Sequence, residues 1–176
     1  MPRLFTALEI PAELAAELTL FRGGIAGGRW IDAENYHITL RFIGDVDRLV
    51  AREITATLAQ IHRPAFTITL TGLDYFGGDR PRAIVAKVQP SPPLLDLQAE
   101  QERLIRRIGL EPEPRKFTPH ITLARLRQAS QLAVADYLSA RGFLSRSFVT
   151  TRFVLLSSRD SVGGGPYQLE AAYPLI

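Results

Sequence analysis

The chain has 176 residues, enough for one domain or two lobes sharing a core, and its 46% hydrophobic and 22% charged content is ordinary for a soluble globular protein. It contains no cysteine, which excludes disulfides, thiolate metal sites and cysteine nucleophiles, and no run approaches the ~18 apolar residues of a membrane span. The net charge is +3, from 21 Lys+Arg against 18 Asp+Glu, too small to argue for nucleic acid by itself.

Residues 3–10 read as a first strand, ended by Pro11, which suits the first position of a helix over about 11–22 with Leu14, Leu18 and Phe21 on one face. No signal peptide precedes that strand, so a cytoplasmic address is expected. The pairs Gly23-Gly24 and Gly27-Gly28 connect to Trp30-Ile31. Residues 36–43 form a strand stopped by Gly44-Asp45. A helix over about 47–61 follows, with Val50, Ile54, Leu58 and Ile61 at helical spacing. Residues 66–75 and 83–89 make a hairpin about Gly77-Gly78-Asp79.

The second half repeats the scheme. A helix starts near Ser91-Pro92 and ends at Gly109, and Glu111-Pro112-Glu113-Pro114 is a rigid connector. A strand over 117–126, a helix over 130–141, one long strand over 148–157, a glycine-rich loop at 163–165 and a closing strand over 167–175 complete the chain. The expected architecture is α+β and bilobal: residues 1–176 as one domain of two pseudo-symmetric α/β lobes, with antiparallel sheets facing a central cleft.

His37-Ile38-Thr39-Leu40 recurs as His120-Ile121-Thr122-Leu123 about half a chain later. Repetition alone carries little weight, and a single His-x-Thr is ordinarily a half-buried strand residue beside a routine β-former. The content is more telling, because two of only three histidines occupy the same position of the repeat, each in an expected strand. Alternation puts His37 and Thr39 on one strand face and Ile38 and Leu40 on the other, and the second copy behaves alike. Lobes related by a pseudo-two-fold axis would bring two imidazoles and two hydroxyls around one ligand. Imidazoles titrate near neutrality, so one can take a proton from water while the other gives one to a leaving oxygen, and threonine hydroxyls can donate to non-bridging phosphate oxygens. This set suits a phosphodiester.

Rival chemistries are poorly served. Neither copy has a third ligand at zinc spacing, no G-x-S-x-G elbow occurs, and the glycine runs lack Gly-Lys-Ser/Thr. No metal or cofactor is therefore expected. His62, at the end of the 47–61 helix, reads as structural. The basic residues are arginines except for Lys87 and Lys116. Guanidinium forks match phosphate oxygens, although arginine-rich coding alone would give the same composition.

Two H-x-T-x motifs half a chain apart resemble the two-histidine (2H) phosphoesterase superfamily, and within it the RNA 2',3'-cyclic phosphodiesterases, also called 2'-5' RNA ligases. The likeness extends to Arg3-Leu4-Phe5-Thr6-Ala7-Leu8, to Arg29-Trp30-Ile31, to Glu34 through Gly44, to Lys116 through Arg125, and to Tyr167 and Tyr173-Pro174-Leu175. The resemblance implies hydrolysis of a terminal RNA 2',3'-cyclic phosphate to a 2'-phosphate without a metal. It makes His37 the proton donor and His120 the proton acceptor, has Thr39 and Thr122 hold the phosphate, and allows reversible 2'-5' ligation with an RNA 5'-hydroxyl in place of water. Alternatives are another 2H substrate (ADP-ribose cyclic phosphate or a 2'-5' oligonucleotide) or a non-catalytic RNA-binding module. The expected partner is RNA ending in a cyclic phosphate, bound by a monomer with no membrane.

Two arginines are candidate substrate contacts. Arg41 shares parity with His37 and Thr39 and so would face the cleft. Arg125 has the opposite parity from His120 and needs a bend or twist to reach it, but the family motif often ends in arginine there. Phe5 is expected in the core. Arg159, within 157–166, stands where the resemblance leads one to expect an aliphatic residue.

Overall fold

The computed structural model describes residues 3–158 and 166–176; Arg159 and the 163–165 glycines lie outside them. Strand β1 (Arg3–Glu9) leads through Pro11 into α1 (Ala12–Leu18), which tightens into a 3-10 turn at Thr19–Phe21. There follow β2 (Gly28–Trp30), β3 (His37–Asp45) and α2 (Arg48–Leu58), whose first turn is capped by the Asp47 carboxylate accepting from the Val50 N–H at 2.8 Å. Strands β4 (Phe66–Phe76) and β5 (Ala83–Val88) form the expected hairpin. Its turn needs Gly77, where φ is +119° and a Cβ would lie 2.3 Å from the Arg80 carbonyl oxygen. Helix α3 (Pro92–Arg107) opens on proline, and β6 (His120–Leu126) follows the proline-rich connector. Ser130 caps α4 (Gln131–Arg141) by accepting from the Ala133 N–H at 3.0 Å.

The 148–157 strand is a correction: it is two strands, β7 (Arg146–Thr150) and β8 (Arg152–Ser158), before β9 (Tyr167–Pro174). β7 pairs with β4 and β8 with β1, so the chain crosses from one half of the molecule to the other at Thr151. A continuous β-rich run does not reveal that its two ends serve different neighbours. The short β2, set just after glycine pairs, is an addition that local sequence does not signal.

All strand pairings are antiparallel, in the order β7-β4-β5-β6-β3-β1-β8-β9, with β2 attached to β6. The expected α+β class and pseudo-symmetry are visible in this order. β3-β1-β8-β9 and β6-β5-β4-β7 are matching four-strand halves, continuous with each other through the single pair Ile38↔Ile121. Both isoleucines are wholly buried. They share a core cluster with Ile54 and Leu58 of α2 and Leu94 and Leu97 of α3. Burial of this face fixes the register, since a one-residue slip would turn the isoleucines outward.

Candidate active site

The Ile38↔Ile121 pair puts the two tetrapeptides side by side, running in opposite directions. Continued by one residue each way, that register sets His37 opposite Thr122 and Thr39 opposite His120. Since the isoleucines face the core, all four polar side chains face the other way. They line one cleft of about 760 Å³, a size suited to a small ligand.

Immediately after each tetrapeptide the alternation breaks. In β3, Ala7 pairs with Thr39 but Thr6 with Arg41, so Leu40 is an extra residue. In β6, Val85 pairs with Thr122 but Ile84 with Ala124, so Leu123 is extra. These matching β-bulges reverse the parity of the residues beyond them. Leu40 and Arg41 are both buried, as are Leu123 and Ala124, and the next residues, Phe42 and Arg125, emerge into the cleft. Arg125 thus reaches the site by the bend its parity required.

Arg41 does not. The expectation that it faces the cleft is overturned: its side chain is 5% exposed and turned toward the core. Its guanidinium pairs with Glu102 of α3 and donates to the carbonyl oxygens of Phe42 and, at 2.6 Å, Glu111. The bulge itself is satisfied from within. The Arg41 N–H donates to the Thr6 hydroxyl at 3.0 Å, which in turn donates to the Gln101 side-chain oxygen at 2.5 Å. An even period of two along the strand could not anticipate this.

Both imidazoles are held alike. Nδ1 of His37 donates to the Asn35 carbonyl oxygen at 2.9 Å, and Nδ1 of His120 to the Thr118 carbonyl oxygen at 2.6 Å. A carbonyl only accepts, so each Nδ1 carries the proton and each neutral ring keeps its Nε2 lone pair. Nε2 of His37 accepts from the Thr39 hydroxyl at 2.9 Å. Burial pushes the His37 pKa below the usual imidazole range, and the nearby charges of His120 and Arg125 push it the same way. His120 is lowered too, first by burial and then by Arg125. One guanidinium therefore acts electrostatically on both rings.

Aromatic groups complete the walls. Phe5, buried as expected, nevertheless lies 5.1 Å from both the His37 and Tyr167 ring centroids, and Tyr167 meets His37 edge-on at 5.1 Å. Phe76 meets His120 edge-on at 4.7 Å. Arg82, Lys116 and Phe117 also line the cleft. Sequence reasoning singles out none of Phe42, Phe76 or Arg82 for the site. Phe76 and Arg82 flank the hairpin turn, so the glycine signal there marks their position without their role. His62 lies exposed beyond the end of α2, away from these groups.

Among the described residues no group of three or more His, Asp or Glu side chains is placed to hold a metal ion. The donor set is instead two imidazoles, two hydroxyls and a guanidinium, which can bind an oxyanion and move a proton on either side of it.

The chain matches the 2'-5' RNA ligase superfamily over residues 10–161. It is 37% identical over 150 residues to an RNA 2',3'-cyclic phosphodiesterase of Aeropyrum pernix, covering 81% of this chain and 85% of that one. It is 31% identical over 169 residues to an RNA 2',3'-cyclic phosphodiesterase of Escherichia coli, covering 94% and 92%. Among solved structures, Escherichia coli LigT complexed with 3'-AMP superposes with a TM-score of 0.78 at 28% identity, covering 99% of each chain. TT0787 of Thermus thermophilus shares the fold with a TM-score of 0.83 at 22% identity, covering 98% of this chain and 97% of that one.

Proposed function

The chain belongs to the 2'-5' RNA ligase superfamily, and on that premise we propose that it hydrolyses the 2',3'-cyclic phosphate ends of RNA to 2'-phosphates, as an RNA 2',3'-cyclic phosphodiesterase. The observation that carries this reading is the mirrored pair of imidazoles, each fixed through Nδ1 to the carbonyl two residues before it and each turned to one cleft. Residues 1–176 act as one two-lobed domain. The partner is RNA with a cyclic phosphate end, bound by a monomer in the cytoplasm. No helix among the described residues is long and apolar enough to cross a membrane.

The reaction needs a proton removed on one side of phosphorus and delivered on the other. Water attacks phosphorus while Nε2 of His120 takes its proton. The P–O3' bond breaks as Nε2 of protonated His37 gives its proton to O3', leaving the phosphate on O2'. Each transfer contributes on the order of 10²–10⁴ in rate. Thr39, Thr122 and Arg125 donate to the non-bridging oxygens, whose charge grows in the transition state. With an RNA 5'-hydroxyl attacking in place of water, the same groups break P–O3' and form a 2'-5' linkage, and the reverse of that step cleaves the linkage back to the cyclic phosphate.

The test is to incubate EDTA-treated protein with RNA carrying a 2',3'-cyclic phosphate and to identify the product by phosphorus NMR. We expect undiminished turnover and a 2'-phosphomonoester. A 3'-phosphate product, or dependence on added metal, would overturn the reading.

The lowered pKa values set the pH dependence. In the free enzyme His37 must hold a proton and His120 must lack one, so kcat/KM falls as pH rises through the upper value of the pair and as pH falls through the lower. Since burial and Arg125 depress both, the bell for kcat/KM centres on the acid side of the ordinary imidazole value of about 6.5. The bound phosphate anion favours the protonated ring, so the kcat profile lies at higher pH than that for kcat/KM. Steady-state rates across pH 4–9 check both, and a kcat/KM optimum above pH 7 contradicts the electrostatics.

A further inference from the structure

Resting on that phosphodiesterase reading, we propose that the β2–β6 ribbon carries a guanidinium track, Arg125–Arg29–Arg127, that binds the backbone phosphates of single-stranded RNA on the 5' side of the reacting end. Arg29 of β2 is the direct cross-strand partner of Arg125 of β6. Arg127, two residues past Arg125, is held opposite Gly27 by its N–H donating to the Gly27 carbonyl oxygen at 3.0 Å. Antiparallel partners and residues two apart share a face, so the three guanidiniums project from one side of the ribbon. The track starts in the cleft wall with Arg125 and leads out of the cleft, since neither Arg29 nor Arg127 lines it.

All three side chains are exposed, and none has a carboxylate partner among the described residues. Of the other arginines that line the cleft, Arg3 is paired with Asp45 and Arg115 with Glu113, which leaves Arg82, on the opposite hairpin, as a further cation without a carboxylate partner among the described residues. Like charges set directly opposite on paired strands oppose folding unless an anion lies between them. Successive same-face positions on a strand are roughly 7 Å apart, close to the step between phosphates of an extended strand. Gly27, opposite Arg127, leaves the ribbon without a side chain at that point. The cyclic phosphate is a 3' terminus, so the chain of the RNA that carries it leaves the site in the 5' direction. Interactions of this kind read phosphate and not sequence.

The track is tested with 2',3'-cyclic CMP and with a decameric oligoribonucleotide ending in a 2',3'-cyclic phosphate, each assayed over a range of salt. For the double variant R29A/R127A we expect about a tenfold rise in KM for the oligonucleotide and a salt slope shallower by about 1.4, near 0.7 for each guanidinium removed. R29K/R127K should recover most of both. Kinetics on the cyclic mononucleotide should stay within about twofold of wild type, which also reports an intact fold. An unchanged oligonucleotide KM and salt slope, or equal losses on both substrates, would overturn the track. If wild type turns over neither substrate, the phosphodiesterase reading fails by itself. The track is then judged by anisotropy of a 5'-labelled oligoribonucleotide, and equal affinity for wild type and double variant refutes it.

Discussion

Replacing His37 or His120 by alanine is expected to lower kcat on a 2',3'-cyclic phosphate end by on the order of 10²–10⁴ for either variant, with melting temperature little changed. Each ring's hydrogen bonds are local, to a backbone carbonyl two residues away and, for His37, also to the Thr39 hydroxyl, so its loss removes little from the fold. The two variants part company on a cyclic phosphorothiolate in which sulfur replaces the bridging O3'. A thiolate leaves without a proton, so His37→Ala should lose far less on that substrate than on the oxygen one. His120→Ala should lose as much on both, since water must still be deprotonated. A reversed pattern would exchange the acid and base roles, and full turnover by either variant would end the two-imidazole mechanism.

Arg125→Gln and Arg41→Ala should fail in opposite ways, although both arginines follow a His-Ile-Thr-Leu. Arg125 is exposed in the cleft and its charge bears on both imidazoles. Arg125→Gln should reduce kcat/KM about 10²–10³-fold through lost transition-state stabilisation. It should also move the kcat/KM profile to higher pH, because a positive charge that disfavours both imidazolium forms has gone. Arg41→Ala strands the Glu102 carboxylate, whose side chain is 19% exposed, and two carbonyl oxygens. Breaking a largely buried pair costs about 3–5 kcal/mol, a fall in melting temperature on the order of 10 °C for a chain of this size. Well below the melting transition, its KM for the cyclic phosphate should stay within a few-fold of wild type. If Arg41→Ala were fully stable yet lacked substrate affinity, Arg41 and not Arg125 would be the phosphate ligand.

The contrast between these arginines marks where sequence reasoning ends. The α+β class, the helix starts at Pro92 and Ser130 and the hairpin at Gly77 follow from local chemistry: caps, turn geometry and apolar period. The two imidazoles and two threonines are also legible, because within each tetrapeptide the strand keeps its period of two and the isoleucines demand burial. That much the amino-acid sequence determined unaided, down to the face on which His37, Thr39, His120 and Thr122 lie.

Tertiary structure decided the rest. Whether a strand bulges depends on what its neighbour offers, here the Thr6 hydroxyl backed by Gln101 and a carboxylate from α3 that draws Arg41 inward. Those partners lie 35 to 95 residues away in the chain, beyond any local pattern. The same holds for the crossing at Thr151 and for Arg29 lying against Arg125, both set by which strands pair. Side-chain period is a property of one strand, whereas bulges and pairings belong to two, and only the fold brings the second strand to the first.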